Sequence, residues 1–175
     1  MDRQATGSIR AVQPAPAELV ARARAMIPTL AERALAQKAR RGILPETIAE
    51  MQAAGLFRVL QPKRWGGYEM DLGTFYDIEL ALGEGDMSTG WTYGVIGVVS
   101  WVLGLIDDRA AQEVWGRDTS VLLCSSTMPA GRASAVDGGF RLGGRWRYAS
   151  GCEHCDWALL GGMVAAADAP VSAAR

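Results

Sequence analysis

From Ser88 to Ile106 the chain carries no charged side chain, and acids stand on both sides of the stretch: Glu84 and Asp86 before it, Asp107 and Asp108 after it. A run of this length either crosses a bilayer, which takes about 20 apolar residues, or lies buried in protein. Burial is the better reading. Acidic flanks at both ends give no positive-inside asymmetry, and Ser88, Thr89, Thr92 and Ser100 dilute the hydrophobicity. Gly90, Gly94, Gly97 and Gly104 suit close helix packing. A buried, glycine-rich helix is expected, with no membrane span. Its aromatics Trp91, Tyr93 and Trp101 read, by themselves, as core.

Helical grammar extends upstream of this segment. Leu19, Ala23, Met26, Ile27, Leu30 and Ala34 recur at three- and four-residue steps between Ala17 and about Arg41. Glu18 opens that helix, Lys38, Arg40 and Arg41 close it, Gly42 stops it, and Pro28 should kink or split it. Pro45 suits a first helical position and Gly55 a helix end, with Ile48, Met51 and Ala54 on one face. Gln61 to Tyr68 (QPKRWGGY) reads as a loop. Asp71 or Thr74 caps a helix through Phe75, Ile78 and Leu82, and Asp107 to Gly116 reads as a short helix.

At about Thr119 the pattern changes to short runs of period two, the mark of strands. Val121 to Ser126 is an apolar strand broken by Met128-Pro129, Phe140 and Leu142 flank Arg141 in another, and Trp157 to Val164 is a third. Before the third, Trp146 and Tyr148 alternate with Arg145, Arg147 and Ala149. That alternation predicts a strand that puts Ser150 on the same side as Trp146 and Tyr148, with Gly151 admitting a ligand to the backbone. Helices followed by strands argue an α+β chain: residues 1–15 as a disordered tail, 16–117 as a helical domain, 118–175 as part of a β domain. A few hairpin strands with unpaired edges make the β part read as incomplete. The residues alone point to an aromatic- and hydroxyl-lined site between a helical and a β layer, its ligand unnamed.

Composition closes off several functions. The 175 residues are 49% hydrophobic and 21% charged with a net charge of −1, which suits one packed core and offers no field for nucleic acid or anionic lipid. No apolar leader opens the chain and the cysteines number three, so a reducing, cytoplasmic setting is expected. Cys152, Cys155, Cys124 and His154 could compose a zinc site on paper. His154 is the only histidine, however, and adjoins Cys155, so packing thiols are expected and no metal. Ser125, Ser126 and Thr127 read as turn hydroxyls. The sequence contains neither a G-x-S-x-G elbow nor a Walker or G-x-G-x-x-G nucleotide loop.

Four stretches together carry a resemblance: Leu44 to Ile48 (LPETI), Ala54 to Tyr68 (AGLFRVLQPKRWGGY), Asp86 to Trp91 (DMSTGW) and Gly138 to Trp157 (GGFRLGGRWRYASGCEHCDW). In this order they resemble the oxygenase component of two-component flavin-dependent monooxygenases, the 4-hydroxyphenylacetate 3-hydroxylase type, built on the acyl-CoA dehydrogenase fold. The resemblance covers about residues 17–164. It implies an N-terminal helical domain, a barrel-like middle β domain and a C-terminal four-helix bundle. This chain would stop before the bundle, be part of a longer homo-oligomeric protein or need another chain, and bind flavin weakly by itself.

The resemblance also implies roles. A separate NAD(P)H-dependent flavin reductase would supply reduced FMN or FAD, which reacts with O2 to a C4a-hydroperoxide and hydroxylates a small aromatic substrate. Trp146, Tyr148, Ala149, Ser150 and Gly151 would line the flavin ring, with Ser150 bonding N5 as the catalytic residue. Ser126, Thr127 and Met128 would meet its pyrimidine side. Trp91, Val99, Ser100, Trp101, Ser125 and His154 would surround the substrate. Relatives carry a histidine where this chain has Val99, so an acid–base role stands vacant unless His154 or a residue beyond the chain fills it. Two rivals stay open: an acyl-CoA dehydrogenase-like oxidoreductase, which would want an acid where Met128 stands, and a non-catalytic remnant or interaction module.

Overall fold

The computed structural model describes residues 13–164. Most of the expected disordered tail (1–12) and the end of the expected β unit (165–175) lie outside the described residues. Helices come first and strands after, as an α+β chain requires: α1 Pro16–Ala25, α2 Ile27–Arg40, α3 Pro45–Ala53, α4 Leu72–Gly85, α5 Met87–Leu103, α6 Asp108–Trp115, then β1 Leu123–Val136, β2 Gly139–Gly143 and β3 Trp157–Val164.

Local chemistry sets most boundaries. The long N-terminal helix splits at Met26, just before Pro28, whose ring cannot continue the preceding turn. Pro45 opens α3, and Gly55 follows it in the left-handed region at φ 77°. Asp71 accepts the Thr74 N–H at 2.9 Å and caps α4. Asp86 both ends α4 and caps α5, accepting the Thr89 N–H at 2.9 Å and the Thr89 hydroxyl at 2.7 Å. Buried Gln37 ties these ends together. Its amide donates to Asp86 (2.8 Å) and Thr89 (3.1 Å) and its carbonyl accepts from Leu44 N (3.1 Å), so the end of α2, the start of α3 and the α4–α5 joint share one side chain.

The uncharged stretch forms α5 and is buried on one side only. Tyr93 and Ile96 enter the main core, where Tyr93 stacks on Phe75 with centroids 4.9 Å apart. Val99 and Leu103 enter a second cluster with Val114, Trp115 and Leu123, where α5, α6 and β1 meet. Gly90 lies against the backbone of Gly83, so α4 and α5 approach closely. The reading of three core aromatics holds for Tyr93 alone: Trp91 and Trp101 are exposed. Among the described residues no helix is long and apolar enough to cross a membrane.

The sheet has the order β2-β1-β3, with β1 antiparallel to β2 and parallel to β3. Two expectations fail here. β1 does not end at Met128-Pro129 but runs on to Val136. The β1–β3 register breaks between Ser126 and Gly131, so Pro129 sits where no ladder donor is demanded of it. The second failure is the strand expected over Arg145 to Ala149, which is irregular chain. Trp146 packs against Gly131 and donates its indole N–H to Gly161 O at 2.7 Å. Tyr148 takes φ 62° and is 91% exposed. Trp146, Tyr148 and Ser150 therefore do not share one face.

Candidate functional site

Ser150 stands at a turn locked from behind. Cys152–His154 forms a single 3-10 turn, Cys152 N donates to Ala149 O (3.1 Å), His154 N to Gly151 O (3.0 Å) and the Cys155 thiol to Gly151 O (3.4 Å). Gly151 has φ 75°, and a Cβ there would strike Ile96 and Thr92 of α5. The glycine is thus required for the turn to seat on the helix, a closer demand than the ligand approach expected from sequence. Once seated, the turn brings the Ser150 hydroxyl to the Trp91 indole, which donates to it at 3.3 Å.

This junction borders a cleft of about 1450 Å³. Ala149, Ser150, Gly151 and Glu153 line one side, Gly90, Trp91 and Thr92 of α5 the next, Tyr76, Glu79 and Leu80 of α4 another, and Lys38 and Arg41 come from the end of α2 and the residue after it. Leu35, Tyr76, Leu80, Met87 and Trp91 are all exposed along it, an apolar concentration of the kind that marks binding surfaces. The Ser150 hydroxyl accepts from Trp91 and keeps its own proton to donate, which fits a flat ring with acceptor atoms.

Of the other expected site residues, Ser126 is buried on β1 and donates to Arg147 O at 2.8 Å, fastening the strand to the segment that leads to Ser150. Thr127 and Met128 follow it exposed, in the stretch where the register breaks, and Ser125 is half-buried. None of Ser125, Ser126, Thr127, Met128, Trp146 and Tyr148 borders the cleft, and the Ser126 proton is already given to Arg147 O. Of the residues expected around a flavin ring, Ala149, Ser150 and Gly151 are the ones that reach it, and the free Ser150 hydroxyl fits a polar ring edge. Val99 and Ser100 are buried inside α5, and neither they nor Trp101 border the cleft with Ser150. His154 does not line it either. Its side chain is 6% exposed, with Nε2 at 3.5 Å from Glu153.

Cys124 and Cys155 are packing groups, whereas Cys152, also expected to pack, is exposed. Burial first, then neighbouring thiols, pushes Cys155 up to about 12, and burial raises Cys124 as well, the reverse of an activated nucleophile. Among the described residues no three His, Cys, Asp or Glu side chains are grouped to hold a metal ion.

Sequence reasoning missed Glu79. It is half-buried on α4, lines the cleft, and has its carboxylate over Gly94, where a Cβ would overlap it. Among the described residues no ion pair reaches it. The available signal was an acid on α4 beside a helix with no cation to offer. Burial raises its pKa above the ordinary glutamate value. The unfolded chain then gives up the proton first, so this group costs stability once pH rises past the ordinary carboxylate range, and the cost persists above the folded pKa. Glu79→Gln should raise the thermal unfolding midpoint at pH 7 and leave it unchanged near pH 3; melts at the two pH values check this.

No protein-family profile matches the chain. Curated relatives do. The flavin-dependent monooxygenase oxygenase subunit HsaA of Rhodococcus jostii (strain RHA1) is 42% identical over 84% of this chain and 38% of that protein. The FADH(2)-dependent resorcinol hydroxylase oxygenase component of Rhizobium sp. is 33% identical over 67% of this chain and 29% of that protein. Among solved structures, the 3-HSA hydroxylase from Rhodococcus sp. RHA1 superposes with a TM-score of 0.84 at 42% identity, covering 88% of this chain and 40% of that one. XiaF from Streptomyces sp. in complex with FADH2 and glycerol does so at 0.79 and 29% identity, covering 83% and 37%. The chain spans about 38% of the length of the curated relatives it matches first. The expected resemblance and the α+β, acyl-CoA dehydrogenase-like fold both hold.

Proposed function

We propose that this chain, similar in sequence and fold to part of the oxygenase components of flavin-dependent monooxygenases, is the portion of such an enzyme that holds one side of the flavin ring and a small aromatic substrate. The Trp91–Ser150 hydrogen bond carries the reading, because it joins the uncharged helix to the turn at the border of an apolar cleft. Reduced FMN or FAD, when bound, supplies two electrons and reactivity toward O2. The chain's own residues do the rest. Ser150 would hold the N5 edge of the ring through its hydroxyl, whose oxygen can accept the N5–H of the reduced form, Ala149 and Gly151 would border the ring beside it, and Ser126, Thr127 and Met128 of β1 would meet its pyrimidine side. Trp91 and Tyr76 would give the substrate's place an apolar wall.

The same reading assigns residues 16–117 to a helical unit and those from 118 onward to a β unit. It also assigns a cytoplasmic location, a separate NAD(P)H-dependent flavin reductase as electron source, and homo-oligomeric assembly. The experiment mixes the chain with such a reductase, NADH, FMN or FAD, and ¹⁸O2, offering resorcinol and p-hydroxyphenylacetate. One ¹⁸O atom in a hydroxylated product supports the reading. Consumption of NADH with hydrogen peroxide as the sole oxygen product for every phenol overturns it.

A further inference from the structure

We propose that Glu79 is the specificity-determining group of the cleft, accepting a hydrogen bond from a hydroxyl on the aromatic substrate and so fixing which ring edge faces the Ser150 turn. The inference rests on the cleft being an aromatic substrate site, as above.

Placement comes first. Glu79 borders the same cleft as Trp91 and Ser150, together with Tyr76 one turn earlier on α4. A hydroxylated ring seated against Trp91 would have a carboxylate on the α4 wall and the serine turn on the other. The position is built. Gly90 lies against Gly83 and draws the two helices together, and Gly94, one turn on, has no side chain where the carboxylate rests. Any larger residue at 94 would push the carboxylate off its seat.

Partnership comes next. Half-buried carboxylates ordinarily find a cation or several N–H donors. Among the described residues Glu79 has no ion pair, and α5, the helix it lies on, has no charged residue to give it one. Lys38 at the end of α2 and Arg41 just after it border the cleft, and Glu84, Asp86 and Glu153 add further charge to its lining, yet none of them bonds Glu79. A carboxylate kept short of donors in a cleft that also exposes an indole is matched by a ligand that brings an O–H and an aromatic face together. The Val99 position is closed to this task, since Val99 is 1% exposed in the second core cluster.

The test titrates 2-naphthol and its methyl ether into the chain and follows quenching of Trp91 fluorescence, with Trp91→Phe as the blank for the other tryptophans. A hydrogen bond to an ionised acceptor should favour 2-naphthol by about 10-fold or more. Glu79→Ala should bring the two affinities together. Gly94→Ala, which keeps the acid but displaces it, should shrink the preference as well and guards against a misfolded first variant. Full discrimination retained in both variants, or none in the wild type, overturns the role of Glu79 while leaving the aromatic cleft intact. Failure of both compounds to quench Trp91 overturns the role and the cleft reading together.

Discussion

Trp115→Ala is expected to cost about 3–5 kcal/mol, the range for truncating a buried tryptophan to alanine. Trp115 is 1% exposed, packs with Val99, Leu103, Val114 and Leu123, and donates its indole N–H to Val121 O at 3.1 Å. The substitution opens a cavity and strands the Val121 carbonyl at once, both unfavourable. Its reach is wider than one side chain. This cluster is where β1 is held to α5 and α6, so loosening it frees the sheet and the Ser150 turn from the helices. Urea unfolding followed by circular dichroism measures the loss, with Trp115→Phe as the volume-retaining control that should lose less than half as much. A drop below about 1 kcal/mol for the alanine variant would mean that the cluster does not hold the two parts together.

Ser150→Ala should leave the fold intact and damage the chemistry. The hydroxyl is half-exposed, and its one protein bond, from Trp91, is 3.3 Å long. Under the proposed function that hydroxyl bonds the N5 edge of the flavin ring. Its loss should lower hydroxylated product per NADH by up to about 10-fold, the balance leaving as hydrogen peroxide; that corresponds to the upper end of the range for a single neutral hydrogen bond, about 0.5–1.5 kcal/mol. Ser150→Thr, which keeps the hydroxyl, should recover most of the coupling. Trp91→Phe removes the donor behind the serine but keeps an aromatic wall on the cleft, and should have the smaller effect. Coupling unchanged in Ser150→Ala would end the assignment of this serine.

How far the sequence could be read depended on whether the deciding contact was local. Asp71 caps a helix through a bond three residues away, Pro45 and Gly55 mark ends by their own backbone limits, and these were legible. The Asp86 cap is equally local but was read only as an acidic flank. The third strand was read at its observed limits, Trp157–Val164. The alternation from Arg145 to Ala149 misled because a long-range bond, Trp146 to Gly161, overrides it and leaves Tyr148 pointing into solvent. α5 misled for a different reason. A helix without charges has no polar face, so nothing in its pattern said that Trp91 and Trp101 turn outward while Val99 and Ser100 turn inward. Glu79 became visible only with Gly94 beneath it, a pairing of two helices that no window of sequence contains.

The cysteine arrangement around the Ser150 turn has a practical use. Cys124 is buried and Cys155 is half-buried with its thiol held near 12, whereas Cys152 is exposed. A maleimide dye applied to the wild-type chain near neutral pH should therefore settle on Cys152, two positions from the serine. Native chemistry thus supplies a spectroscopic reporter at the border of the cleft, with no engineering of the sequence.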